Sequence, residues 1–199
     1  MGDIAITGST QQRRAWPPVV GLVAVMWVLE LVDIVGPWDL DQYGIEPRST
    51  SGLLGILFAP FLHVGLGHLI ANTVPLVLLG LLVSWRAGRY FWPIVVTIGL
   101  VSGLGVWVLA GTGTVTIGAS GLVFGLLTYL IAAGIQSRRF LDVLVGVVVL
   151  LIYGTMLLQV LPFFVAPQVS WLGHLFGAVG GVLAALLFAE SPKDPPRRG

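Results

Sequence analysis

The chain has no cysteine, so disulfides are excluded and nothing in it reports on redox compartment. Charge is scarce as well. Asp, Glu, Lys and Arg make up 10% of the 199 residues, against about 25% in a soluble globular protein. None of the four occurs in 53–85, 90–137 or 143–189. A span needs only about 20 apolar residues, so runs of this length exclude a soluble core and identify a polytopic membrane protein. The formal net charge of +1 carries no sign of nucleic-acid binding. No repeat with a period of about 20 to 50 residues is visible, and no Pro-rich or Ser-rich linker divides the chain. H-E-x-x-H is missing, no hydrophobic run holds an Asp in its interior, and GTGT at 111–114 lacks the Gly-Lys-Ser/Thr of a phosphate loop.

What is present is six hydrophobic runs, at 19–35, 60–85, 90–110, 117–135, 143–161 and 171–189. Strand-sized alternation with regular turns is absent, so they read as helices. The expected fold is an all-α membrane protein with one six-helix bundle over 19–190. A short polar segment, 1–18, precedes it and a short tail, 191–199, follows. The first run does not look like a cleaved signal peptide, because mostly polar residues precede it and Glu30 and Asp33 sit near its end. Those two carboxylates are expected at the interface, solvated. Nine of the ten basic residues (Arg13, Arg14, Arg86, Arg89, Arg138, Arg139, Lys193, Arg197, Arg198) fall on one side of the bundle and only Arg48 on the other. The positive-inside rule makes the shared side cytoplasmic, with both termini inside.

Polar groups inside such runs are costly and usually face the bundle interior. His63, His68 and Asn72 lie in the second run, Ser120 opens the fourth, and His174 opens the sixth. Counted from the charged cytoplasmic end at 1.5 Å per residue, Asn72 stands about 21 Å up, His174 about 24 Å, and His68 and Ser120 about 27 Å. In a core about 30 Å thick, all four reach the outer third. His68 and Asn72 are i,i+4 and share a face. Gly121 and Gly125, like Gly173, Gly177 and Gly181, form small-xxx-small rows that let helix backbones approach closely. The fourth and sixth helices are thus expected to form a tight pair.

Each piece has an ordinary reading. A lone Ser in a glycine run is more often a packing residue, and a lone membrane His is as often an interhelical hydrogen-bonder as a catalyst. His63 lies on another face from Asn72 and reads as a hydrogen-bonder. Three histidines could in principle bind zinc, but His63 and His68, at i,i+5, splay around a helix, and no Cys, Asp or Glu lies nearby. No metal or cofactor is expected. The joint pattern differs from its pieces: Ser and His at one depth on a tightly packed pair make a nucleophile and its base, with side-chain donors from His68 and Asn72 for an oxyanion.

Together these motifs resemble the rhomboids, a family of six-helix intramembrane serine proteases. The matches are H-x-x-x-x-H-x-x-x-N (His63, His68, Asn72), G-x-S-G (Gly118, Ser120, Gly121) and G-H-x-x-G-x-x-x-G (Gly173, His174, Gly177, Gly181), in the right order over about residues 19 to 190. The resemblance implies a Ser–His dyad without an acid, with Ser120 as nucleophile and His174 as general base. Asn72, His68 and the Ser120 backbone N–H would form the oxyanion hole. It implies membrane-spanning helices of other proteins as substrates, the lipid bilayer as surroundings, and a bacterial plasma membrane as location. Two departures stand out. Phe124 replaces the Tyr that often stacks on the catalytic His, and SGLLGILFAP lacks the Trp-Arg pair that anchors the first exterior loop in many members. A catalytically silent member and an unrelated small transporter are the alternatives. The first usually lacks the Ser or the His, and the second would place its polar residues at the midplane.

Overall fold

Apolar runs in lipid must satisfy their backbone hydrogen bonds within the chain, which favours continuous helices. The computed structural model describes residues 16–189. Seven α-helices follow one another: α1 (Trp16–Val35), α2 (Thr50–Phe58), α3 (Gly65–Ala87), α4 (Phe91–Leu109), α5 (Ser120–Ser137), α6 (Phe140–Tyr153) and α7 (Trp171–Phe188). No β-strand occurs among the described residues; Ile45 and Thr116 form an isolated antiparallel bridge. Six of the helices correspond to the six expected spans. Gly65–Leu109 is one apolar stretch of 45 residues that divides at Gly88, whose φ of +52° is easiest for glycine. α6 continues as a 3-10 helix over Gly154–Val160, so its apolar stretch runs 21 residues. Arg13, Arg14, Glu190, Lys193, Arg197 and Arg198, with most of both polar ends, lie outside the described residues.

Two expectations are corrected, and one unassigned segment gains a helix. The second span starts at Gly65 rather than at residue 60, because Pro60 sits in a 3-10 turn, Leu62 is extended and Gly65 has φ +77°. His63 therefore precedes the helix instead of lying on one of its faces. The segment between the first two spans, for which the sequence reading named no element, holds α2. Ser49 caps that helix by accepting the Gly52 N–H at 2.9 Å. Glu30 is not solvated at a helix end. It is 2% exposed, buried where the bundle packs around α1.

The missing Trp-Arg pair has a substitute. The Trp107 indole of α4 donates to the Ser49 carbonyl at 2.8 Å, and the Arg48 N–H returns a bond to the Trp107 carbonyl at 3.1 Å. The Arg48 guanidinium also donates to the Val108 carbonyl at 2.8 Å. Glycines keep this loop low: a Cβ on Gly52 or Gly55 would collide with the backbone of Glu46 or Gly44.

α5 is buried along most of its length, whereas α6 buries only Gly146 and Val149. α7 packs on α5 and α4, while α1 packs on α3. At the end of α5 away from Ser120, Arg86 pairs with Asp142 and donates to the Ala133 carbonyl at 3.1 Å, joining α3, α6 and α5. Outward faces carry Val, Leu and Ile, as lipid contact requires.

Candidate active site

Ser120 is the first residue of α5 and half-buried, standing behind a loop that runs in from α4. Three ties fix that loop: the Ile45–Thr116 bridge, the Gly118 N–H donating to the Ala59 carbonyl at 2.8 Å, and the Ala119 N–H donating to His63 Nε2 at 3.4 Å. His63 thus accepts a backbone N–H from a position in the loop before α3, joining two loop segments rather than two helices. Its ring is 1% exposed, and Nδ1 is buried without a partner. It meets His68 edge to face at a centroid distance of 5.0 Å. The two rings are adjacent, then, and not splayed. No group of three metal-ligating side chains exists among the described residues.

Gly118 is where α3 reaches the loop. Its φ is +112°, and a Cβ there would sit 2.8 Å from His68 Nε2 and 3.7 Å from Asn72 Nδ2. Only glycine accommodates both constraints. Asn72 Nδ2 donates to the His68 carbonyl at 3.1 Å, which uses one of its two N–H bonds. His68 Nδ1 accepts the Val64 N–H at 3.4 Å. A neutral ring that accepts at Nδ1 carries its proton on Nε2. The side chains nearest Gly118 are therefore both able to donate.

α7 supplies His174 from its first turn, where Ser170 caps the helix by accepting the Gly173 N–H at 3.2 Å. His174 is 3% exposed. Phe124, one turn beyond Ser120, stacks on it with ring centroids 4.1 Å apart and planes 9° apart. That spacing is below the usual range for aromatic pairs and nearly parallel. Close approach of the helices makes it possible. A Cβ on Gly177 would collide with the Gly121 carbonyl, and one on Gly181 with the Gly125 carbonyl. The expected tight pair is thus present, with one refinement. Gly173 is in ordinary contact only, and its carbonyl instead accepts the Ser102 hydroxyl of α4 at 2.9 Å. Sequence reading did not pick out Ser102. Nor did it pick out Gly103 and Gly105, where Ile56 and Phe176 press against α4.

No hydrogen bond joins Ser120 Oγ to His174; catalytic bonds are often long before substrate is bound. Ser120 lines a cavity of about 30 Å³ together with Ser102, Ser170, Gly118 and Gly173. That is room for about one water beside several polar groups. The other ring nitrogen of His174, Nδ1, lies 3.1 Å from the Gln159 carbonyl.

A family model described as Rhomboid domain matches residues 50–191. An uncharacterized protein of Mycobacterium tuberculosis is 40% identical over 194 residues, covering 92% of this chain and 80% of that protein. An uncharacterized protein of Mycobacterium leprae is 37% identical over 209 residues, covering 94% and 82%. A Bacillus subtilis protein, YdcA, provisionally named a rhomboid protease, is 27% identical over 177 residues, covering 86% and 87%.

Proposed function

The chain belongs to the rhomboid family, and from that premise we propose that it is an intramembrane serine endopeptidase with Ser120 as nucleophile and His174 as general base. The observation that carries this reading is the α5–α7 contact. The Gly121 carbonyl meets Gly177 directly, which holds the turns bearing Ser120 and His174 side by side with Phe124 stacked on the imidazole.

In the reaction, Ser120 Oγ attacks the carbonyl carbon of the scissile peptide while His174 Nε2 takes the hydroxyl proton. The carbonyl π electrons move to oxygen. His68 Nε2–H, Asn72 Nδ2–H and the Ser120 backbone N–H receive that oxyanion, a contribution of about 2.7–4 kcal/mol per donor in well-studied serine proteases. Collapse breaks the C–N bond, and the leaving amine takes the proton from Nε2. A water then attacks the acyl ester, giving one proton to Nε2, which returns it to Ser120 Oγ as the acid product leaves.

The substrates are membrane-spanning segments of other proteins, cut near the outer face. Both termini are cytoplasmic by the distribution of basic residues, and the membrane is the bacterial plasma membrane. The bundle domain is 19–190, between short polar ends. The test is cleavage of a labelled single-span protein by the purified chain in lipid. Wild type cuts it, while Ser120→Ala and His174→Ala do not. Equal cleavage by Ser120→Ala would remove the assignment.

A further inference from the structure

No Asp or Glu occurs in 90–137 or 143–189, so α4, α5, α7 and the membrane part of α6 offer His174 no carboxylate. A general base still needs a group that fixes its tautomer. The geometry points to the backbone carbonyl of Gln159 in that role. We infer that Gln159 is a positioning residue, holding His174 as the Nδ1–H tautomer with the Nε2 lone pair free for Ser120.

Three observations lead there. His174 Nδ1 lies 3.1 Å from the Gln159 oxygen. A carbonyl oxygen only accepts, so this contact is a hydrogen bond only when Nδ1 bears the proton, and a neutral imidazole has just one N–H. The opposite tautomer would set two lone pairs against each other at a residue 3% exposed, disfavouring it by about tenfold or more.

The local chain explains why this oxygen is available. At Gly154 the α-helix gives way to a 3-10 helix that ends at Val160. In such a helix each carbonyl takes the N–H three residues on. Leu158 does so, receiving the Leu161 N–H at 3.1 Å. For Gln159 that residue is Pro162, which has no N–H. The oxygen is left for a donor from elsewhere, and His174 is that donor.

Phe124 completes the arrangement. Its stack on the ring, 9° from parallel, fixes the imidazole plane. The Gln159 carbonyl fixes rotation within that plane. A third group that orients the base is ordinarily a carboxylate; here it is a neutral backbone acceptor, contributed by the segment that follows α6.

The inference rests on His174 being the base. It is tested on the full chain in lipid with ¹⁵N-labelled histidine, at a pH where the ring is neutral. The chain has three histidines, so comparison with His174→Gln assigns the signal. The expected result is an Nδ1–H, Nε2-lone-pair ring. Replacing Val160 by its α-hydroxy analogue turns the Gln159 carbonyl into an ester, a weaker acceptor. His174 should then show mixed tautomers, and kcat should fall about fivefold with KM unchanged. The α-hydroxy analogue at Leu161 removes the Leu161 N–H bond to Leu158 but leaves the Gln159 carbonyl an amide, and it should keep the wild-type tautomer. An Nε2–H tautomer in the wild type overturns the inference. So does an unchanged tautomer in the Val160 analogue, or an equal shift in the Leu161 analogue. The tautomer is read without substrate, so a failure of the proteolytic reading, seen as cleavage by Ser120→Ala, is distinguishable from a failure of this one.

Discussion

Adding one methyl group at Gly177 perturbs the whole arrangement at its narrowest point. The Cβ of Gly177→Ala would overlap the Gly121 carbonyl oxygen and lie 2.9 Å from both the carbon and the Cα of that residue. Carbon atoms in comfortable contact stand about 3.5–4.0 Å apart, so α5 and α7 must separate by on the order of 1 Å. The obstacle is backbone on a helix, which cannot rotate away. Overpacking of this kind costs about 1–3 kcal/mol, and the rigid neighbour argues for the upper half. A displacement of about 1 Å between catalytic groups lowers rate roughly 100-fold. Gly173→Ala is the internal control. Its Cβ would meet Ser170 Oγ at 3.4 Å and Val106 Cγ2 at 3.7 Å, ordinary contacts, and replacing a helical glycine by alanine gains up to about 1 kcal/mol. Thermal unfolding in detergent and cleavage in liposomes read both quantities. Gly177→Ala should unfold at a lower temperature and lose most activity, while Gly173→Ala should unfold no earlier than wild type. Equal melting temperatures for Gly177→Ala and wild type, with activity intact, would refute the close-contact argument.

Phe124→Leu should cost about 0.5–1.5 kcal/mol of ring contact with His174 and lower kcat by up to about tenfold, whereas Phe124→Tyr keeps the ring and should restore kcat; steady-state kinetics on one substrate compares them. Gly118→Ala places a methyl against His68 at φ +112°, so cleavage should be lost, with strain of about 1–3 kcal/mol visible in thermal melts. Breaking the Arg86–Asp142 pair by Asp142→Asn should destabilise the chain, and a double-mutant cycle with Arg86→Met should return a nonzero coupling energy. Asp41, in the turn after α1, has its carboxyl pushed up to about 6 from 3.8, first by burial and then by Asp33, Glu30 and Asp39. The folded chain holds this proton more tightly than the unfolded one, so the contribution is full below about pH 3.8 and is lost as pH rises through about 6. Melting temperature should therefore decline across that window from this group, and the decline should be smaller in Asp41→Asn.

Much of this was legible because membrane burial writes strong signals. Hydrophobic runs located six spans, and the glycine rows identified which two helices touch. His68, Asn72, Ser120 and His174 stood out because lipid makes unneeded polar groups costly, and Phe124 only because the resemblance places a Tyr there in many members. The parts that were not legible depend on backbone geometry. Nothing in the hydropathy of FAPFLHVG distinguishes a helix start at residue 60 from one at Gly65, so His63 was set on a helix face it does not occupy. α2 is short and lies in a region where hydrophobicity alone does not separate helix from loop. The anchor formed by Trp107 and Arg48 joins residues far apart in the chain, and each looks unremarkable by itself. Glu30 illustrates the opposite failure. A carboxylate near a helix end reads as solvated, yet the fold turns it inward and leaves it 2% exposed. Pro162 was visible throughout, but its meaning depends on the 3-10 helix before it.

The central claim is that Ser120 is a nucleophile activated by His174. Its most direct test is to treat the purified chain in lipid with a fluorophosphonate and locate the adduct by peptide mass spectrometry. The account predicts one adduct, on Ser120, formed in step with loss of cleavage and abolished in His174→Ala. Cleavage that continues with Ser120 fully modified, or an adduct that forms on another residue while cleavage stops, would contradict it.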